Sequence, residues 1–159
     1  MTSFSYYTQK TGFSLLQLVI AVAIVTALSV IIFSSTGTAK TNQLLKNETE
    51  GVVAVIKEAQ EKTLSGEGDS QYGVHIQSDK VVLFTGSSYS SSASSNRAFT
   101  LDSTVTITSI SLAGGGSDIV FSQLSGETSQ YGTFVIKNIS TTNGQKTITV
   151  SKLGLVTGN

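Results

Sequence analysis

The sequence predicts an α+β fold, one long N-terminal helix followed by a head of antiparallel β-strands. Three observations carry that expectation. Phe13 to Phe33 reads FSLLQLVIAVAIVTALSVIIF, 21 residues without a charge. From Lys40 onward, apolar residues recur at near-helical spacing. Beyond Tyr72, apolar and polar residues alternate in short runs broken by Gly, Ser and Asn, as strands and turns require.

The 159 residues suffice for one ordinary domain and an appendage. The chain lacks Cys, Pro and Trp and holds a single histidine, His75. That excludes a disulfide scaffold, a thiolate metal site and a cysteine nucleophile. Ten basic side chains balance ten acidic ones, so no overall charge draws the chain to nucleic acid or anionic lipid. Charged residues make up only 13%, and Ser, Thr and Gly fill the difference from an average soluble domain.

As a helix, residues 13–33 would span roughly 31 Å, about the hydrocarbon thickness of a bilayer. The polar members are Ser14, Gln17, Thr26 and Ser29. Hydroxyls bond back to their own helix, which leaves Gln17 as the costly group in lipid. A transmembrane span over 13–33 is expected. Hydropathy alone leaves open a cleaved signal, with Gly37-Thr38-Ala39 as its small-x-small site, an uncleaved anchor, or something more specialised. Lys40 and Lys46 on one side outnumber Lys10 on the other, so loop charge does not fix the orientation.

The junction Lys10-Thr11-Gly12-Phe13-Ser14-Leu15-Leu16-Gln17-Leu18 resembles the processing motif of type IV pilins and type II secretion pseudopilins. In that family a short basic leader ends in Gly, and a prepilin peptidase cuts on the cytoplasmic side before an aromatic residue. The apolar segment stays on the mature protein and the new N-terminus is methylated. The resemblance implies a leader over 1–12, cleavage between Gly12 and Phe13, and N-methylation of Phe13. It also implies the pilin-like form of the α+β fold, an inner-membrane location with the head outside the cytoplasm, and later passage into a filament. The partners it implies are other pilin or pseudopilin subunits, the prepilin peptidase, and an inner-membrane assembly platform with its ATPase. One position departs from the pattern. The fifth mature residue is normally Glu, which in the family pairs with a neighbouring subunit's terminal amine; here it is Gln17. An amide can accept a hydrogen bond from that amine without the Coulombic attraction, so subunit docking by Gln17 is a weaker version of the same contact.

Residues 34–66 read as a continuation toward the head. Ser34-Ser35-Thr36-Gly37-Thr38 is poor helix material and predicts a weak joint. Leu45, Val52, Val53, Ile56, Ala59 and Leu64 then form an apolar stripe, with Lys46–Glu50 and Glu58–Lys62 as i,i+4 pairs on the wet side and Gly51 as a blemish. Ser65, Gly66, Gly68 and Asp69 stop the helix.

The head, 70–159, reads as β throughout. Strands are expected at Tyr72–Gln77, Lys80–Phe84, Arg97–Leu101, Thr104–Leu112, Asp118–Ser122, Thr133–Ile139, Thr147–Ser151 and Leu153–Val156. The phase slips at Ser109-Ile110, which suggests a bulge. Gly86 to Asn96 holds seven Ser in eleven residues and reads as a flexible surface loop. Gly114-Gly115-Gly116 is a loop without the Lys-Ser/Thr of a phosphate cradle. Asn143-Gly144 between alternating runs signals a hairpin. Helix followed by such strands, with Tyr-Gly-Val-x-Ile early and Gly154-Leu155-Val156 late, is similar to H-type minor pseudopilins and related minor pilins. The Arg usual in that closing segment is absent.

Candidates for chemistry are few. His75 lies between Val74 and Ile76, and a strand would turn it away from their face, toward solvent. Asp69, Asp79, Asp102 and Asp118 lack calcium-loop spacing, and five of the ten acids line the helix between Glu48 and Glu67. No catalytic site, metal or cofactor is expected. The reading is a structural, minor subunit of a type IV pilus or type II secretion pseudopilus. Two alternatives stand beside it: a DNA-binding minor pilin using Lys137, Lys146 and Lys152, or a secreted or anchored β-domain with an ordinary signal.

Overall fold

A computed structural model describes Gly12, residues 14–141 and residues 144–159, with no account of the side chains of 30–39. Phe13 and Asn143 therefore lie outside the described residues. The chain divides into two compact units, Met1–Ala39 and Lys40–Asn159. One helix, α1 (Leu15–Leu64), begins in the first and ends in the second. Its backbone is helical through 34–38, where the Ser-Ser-Thr-Gly run predicted a joint. Local propensity of a few tenths of a kcal/mol per residue does not outweigh propagation from two long flanking turns.

In the second unit, α1 packs on two four-stranded antiparallel sheets. The strands are β1 (Tyr72–Ile76), β2 (Lys80–Thr85), β3 (Arg97–Thr100), β4 (Val105–Leu112), β5 (Asp118–Val120), β6 (Gly132–Asn138), β7 (Gln145–Val150) and β8 (Val156–Gly158). The first sheet has the order β3-β2-β1-β5 and the second β4-β6-β7-β8. Their inner faces and the helix share one core. Leu45, Val52, Val55, Ile56 and Ala59 of α1 meet Val74, Ile76, Val81 and Leu83 of the first sheet and Phe134, Ile136, Ile148 and Val150 of the second. The helical stripe was expected except for Val55; Leu64 stays about half exposed.

The helix ends as its composition requires. Gly66 takes the left-handed conformation at φ 67°, and the short 3-10 turn Glu67–Asp69 follows. Buried Thr63 donates its hydroxyl to Ala59 O at 2.8 Å and accepts from the Tyr72 N–H at 2.9 Å, so one side chain joins helix end to first strand. Gly51, a blemish by propensity, is a notch: a Cβ there would lie 2.3 Å from the Phe99 ring of β3. Two residues along the same strand, Arg97 forms an ion pair with Glu58, so Glu58 does not serve Lys62. Lys62 pairs instead with Glu67 at 2.6 Å, a hydrogen bond that holds its pKa above the ordinary lysine value.

The bulge in β4 lies where the phase slip put it. Register shifts between Thr108 and Ser111, and Ser109 adopts φ 53°. The last strand does not lie where the sequence suggested. Residues 151–155 form a turn closed by Ser151 N–H to Leu155 O at 2.9 Å and Gly154 N–H to Ser151 O at 2.9 Å, with Gly154 at φ 80°. The strand starts at Val156, and Leu153 and Leu155 face solvent. Apolar identity alone mimicked a strand where the left-handed glycine makes a corner.

The Ser-rich loop is also different from its composition. Tyr89 stacks on the His75 ring at 3.9 Å and 4° and meets Phe84 edge-on at 5.7 Å. Asn96 donates its side-chain amide to Ser90 O at 2.7 Å. The loop closes over the outer face of the first sheet, where Val82 and Phe84 are buried outside the main core.

Candidate functional site

The segment of α1 that precedes Val30 is apolar on every side. Leu15, Leu16, Leu18, Val19, Ile20, Val22, Ile24, Val25 and Leu28 are all more than half exposed. Thr26 donates its hydroxyl to Val22 O and Ala23 O, and Ser29 to Val25 O at 2.8 Å. The hydroxyls thus spend their polarity on their own backbone, as the sequence suggested. Gln17 lies in the first turns of α1 and is exposed. Gly12 is exposed too, whereas Phe13 falls outside the described residues. Among the described residues, no helix is long and apolar enough to cross a membrane.

The three lysines do not form a patch. Lys137 projects from the outer face of β6, between inward Ile136 and Asn138. Lys146 pairs with Ile136 across the β6–β7 ladder and so shares the inner face. Lys152 lies in the 151–155 turn, at the opposite end of β7. Strand alternation separates the first pair, and strand length separates the third.

His75 is not the solvent-facing residue the sequence suggested. It does turn away from Val74 and Ile76, but Tyr89 covers it, and its Nδ1 lies 2.5 Å from Asp118 Oδ1 of β5. Its surroundings are a parallel ring and one carboxylate, an arrangement that ties loop 86–96 to the edge strand. Among the described residues, no group of three or more His, Asp or Glu could hold a metal.

Two further places on the head carry polar chemistry. Asp102 accepts from both the Thr104 hydroxyl (2.7 Å) and the Thr104 N–H (2.8 Å), and these bonds lower its pKa below the ordinary carboxylate value. Glu48 on α1 is raised above the ordinary glutamate value, chiefly by burial; the Asp102 backbone opposes that rise and the Asp102 charge adds to it. A cleft of about 410 Å³ opens on the outer side of the second sheet, lined by Thr106, Thr108, Lys137, Ile139, Ser140 and Thr141.

Exposed leucines are the feature that alternation could not reveal. Leu124 is 94% exposed at φ 68°, in the loop before β6, and Leu153 and Leu155 flank Gly154. Their loops are laced to the helix end. Gln60 donates to Gly126 O at 2.9 Å and Leu153 O at 3.3 Å, and a Cβ on Gly126 would touch the Leu64 side chain at 3.1 Å.

Set against solved structures, this architecture has relatives. Two crystal forms of the type IV minor pilin FimU of Pseudomonas aeruginosa superpose with TM-scores of 0.54 and 0.55 at 16% identity. Each match covers 72% of this chain, and 91% and 87% of FimU respectively. The chain has a pilin fold. No protein-family model matches it, and no curated protein sequence does. The likeness is to a type IV minor pilin.

Proposed function

We propose that this protein is a structural, non-enzymatic subunit of a type IV pilus-like filament. The observation that carries the reading is the pilin fold of the head on an N-terminal helix segment that is apolar and exposed on every side. Such a surface is stable in only two environments, lipid or a bundle of like helices, and a filament subunit passes from one to the other. Residues 13–33 hold the chain in the cytoplasmic membrane with the head outside. A prepilin peptidase cuts between Gly12 and Phe13, Phe13 is N-methylated, and Gln17 accepts a hydrogen bond from a neighbour's terminal amine. An assembly platform and its ATPase then draw the helix into the filament, where neighbouring subunits replace lipid around it. FimU is a type IV minor pilin, which favours a pilus over a secretion pseudopilus and a minor subunit over an abundant one. DNA binding by Lys137, Lys146 and Lys152 has no geometric support and is not proposed.

The N-terminus and intact mass of the protein from membranes of a strain with prepilin-processing machinery test this reading. The expected product starts at Phe13 and carries one added methyl group. A chain starting at Lys40, or one that retains Met1 in the presence of an active peptidase, would overturn it.

A further inference from the structure

The outer face of the second sheet is built of hydroxyls. Alternation turns Val105 and Ile107 of β4 inward and Thr106 and Thr108 outward, and the register carries that alternation across the sheet. One cross-strand row reads Ser111, Thr133, Thr149 and Thr157, a hydroxyl from each strand. With strands about 4.8 Å apart, the row spans roughly 14 Å. Thr108, Val135 and Thr147 form the row beside it. All of these side chains are exposed or half-buried.

The rows lead into the cleft of about 410 Å³ through Thr106, Thr108 and Lys137. Its far wall is fixed by the backbone. The Ile139 N–H donates to Thr104 O at 2.8 Å, and buried Asn138 accepts the Ser140 N–H at 2.8 Å. Thr106 donates its hydroxyl to Ser78 O at 3.0 Å, which leaves its oxygen as an acceptor. Lys137 has Thr106 and Gln145 as cross-strand neighbours and forms no ion pair among the described residues. The other charges at this end of the sheet stay out of the lining. Glu48 belongs to α1 on the inner side, Asp102 is bonded to Thr104, and Lys146 faces inward beside Ile136. The cleft therefore offers hydroxyls, one cation and one apolar side chain, Ile139, with no carboxylate.

From this chemistry we infer that the cleft binds a uronate residue of an acidic polysaccharide, whose neighbouring rings lie along the hydroxyl rows. Lys137 takes the carboxylate, Thr108 and Ser140 exchange hydrogen bonds with ring hydroxyls, and the C–H face of the ring rests on Ile139. What the face lacks sets other partners aside. The cleft and the two rows hold none of the Tyr, Trp, Met and Arg that anchor protein partners. Nucleic acid calls for several cations and stacking rings, and the cleft has one lysine. Lipid calls for a contiguous apolar patch, and Ile139 and Val135 stand singly among hydroxyls. One exposed ion pair and a few wet hydrogen bonds make the binding weak and salt-sensitive. The site lies within a single head, needs no second copy, and stands whether or not the head joins a filament.

Fluorescence anisotropy provides the test. The full-length chain, in a nonionic detergent without a sugar headgroup, is titrated into fluorescein-labelled hexagalacturonate. Labelled maltohexaose serves as the neutral counterpart and a labelled single-stranded DNA hexamer as a second anion. Saturable binding of hexagalacturonate is expected, with maltohexaose and the DNA hexamer each several-fold weaker. Lys137→Gln and Thr108→Val should each weaken it several-fold, whereas Lys152→Gln, at an exposed lysine outside the cleft, should leave it unchanged. Thr108→Val keeps shape and charge and removes only the hydroxyl, so a loss there is one that charge attraction alone does not produce. Urea midpoints equal to the parent's establish that each variant is folded. No saturable binding, equal binding of maltohexaose or the DNA hexamer, or a loss confined to Lys137→Gln or matched by Lys152→Gln would overturn the inference.

Discussion

Between Leu15 and Ser29, α1 is apolar all round and exposes every side chain, whereas between Lys40 and Leu64 it is apolar on one stripe and buries that stripe. The two stretches share a backbone geometry and differ only in the arrangement of side chains around it. Where Leu, Ile and Val occupy every direction, no single protein face can cover them, and the segment needs an environment that surrounds it. Where Lys and Glu interrupt the pattern, one face is released to water and the other takes a sheet. Patterning, not total hydrophobicity, decides whether a helix belongs to a head or to an apolar medium.

The largest test of this contrast uses the same residue type in both stretches. Ile56→Ala should destabilise the head by about 2–5 kcal/mol, since the fully buried side chain leaves a cavity among both sheets. Ile24→Ala should leave the head's denaturant midpoint within about 0.5 kcal/mol of the parent. Equal effects at both sites would mean that the stretches are not distinct. Next in size is Gly51→Ala, expected to cost about 1–3 kcal/mol by driving Phe99 out of its notch. Combining it with Phe99→Leu should recover part of the loss, as a double-mutant cycle in urea would show.

Smaller again is Tyr89→Ala, which removes the His75 stack and the Phe84 edge contact. A loss of about 0.5–1.5 kcal/mol is expected, with faster proteolysis within 86–96. Unchanged cleavage there would return the loop to the flexible segment its serines suggest. The smallest effect is electrostatic. Burial raises the Glu48 pKa above its unfolded value, so the native state holds the proton more tightly. Stability then falls as pH rises through the window between the two values. Glu48→Gln should be the more stable protein at neutral pH, with the advantage disappearing as acid protonates the parent; urea midpoints across pH 3–8 measure it.

Most of the fold was legible because it follows from periodicity. Val52, Ile56 and Ala59 recur at helical spacing, and Phe134, Ile136, Ile148 and Val150 alternate in strands, so period alone placed them in the core. The slip at Ser109 was legible for the same reason. What periodicity cannot supply is the third dimension of loops. Nothing local distinguishes Leu153 and Leu155, exposed at a corner, from a strand of the same letters. Nor does a serine run disclose that its one tyrosine is clamped by a histidine 14 positions earlier in the chain. The lysines are separated for a geometric reason: proximity to one hairpin in sequence says nothing of which face each takes, and alternation put Lys137 and Lys146 on opposite sides.

The notch at Gly51 has a mechanical consequence. Phe99 seated against Gly51, with Arg97 holding Glu58 two helical turns further on, keys β3 to α1 at two points along its axis. A smooth apolar stripe resists separation but permits sliding, because one leucine replaces another at little cost. A ring in a notch acts as a detent: axial displacement by a single residue forces Phe99 against a side chain that bears a Cβ. Sliding of the stretch 40–64 along β3 therefore meets a step at this position.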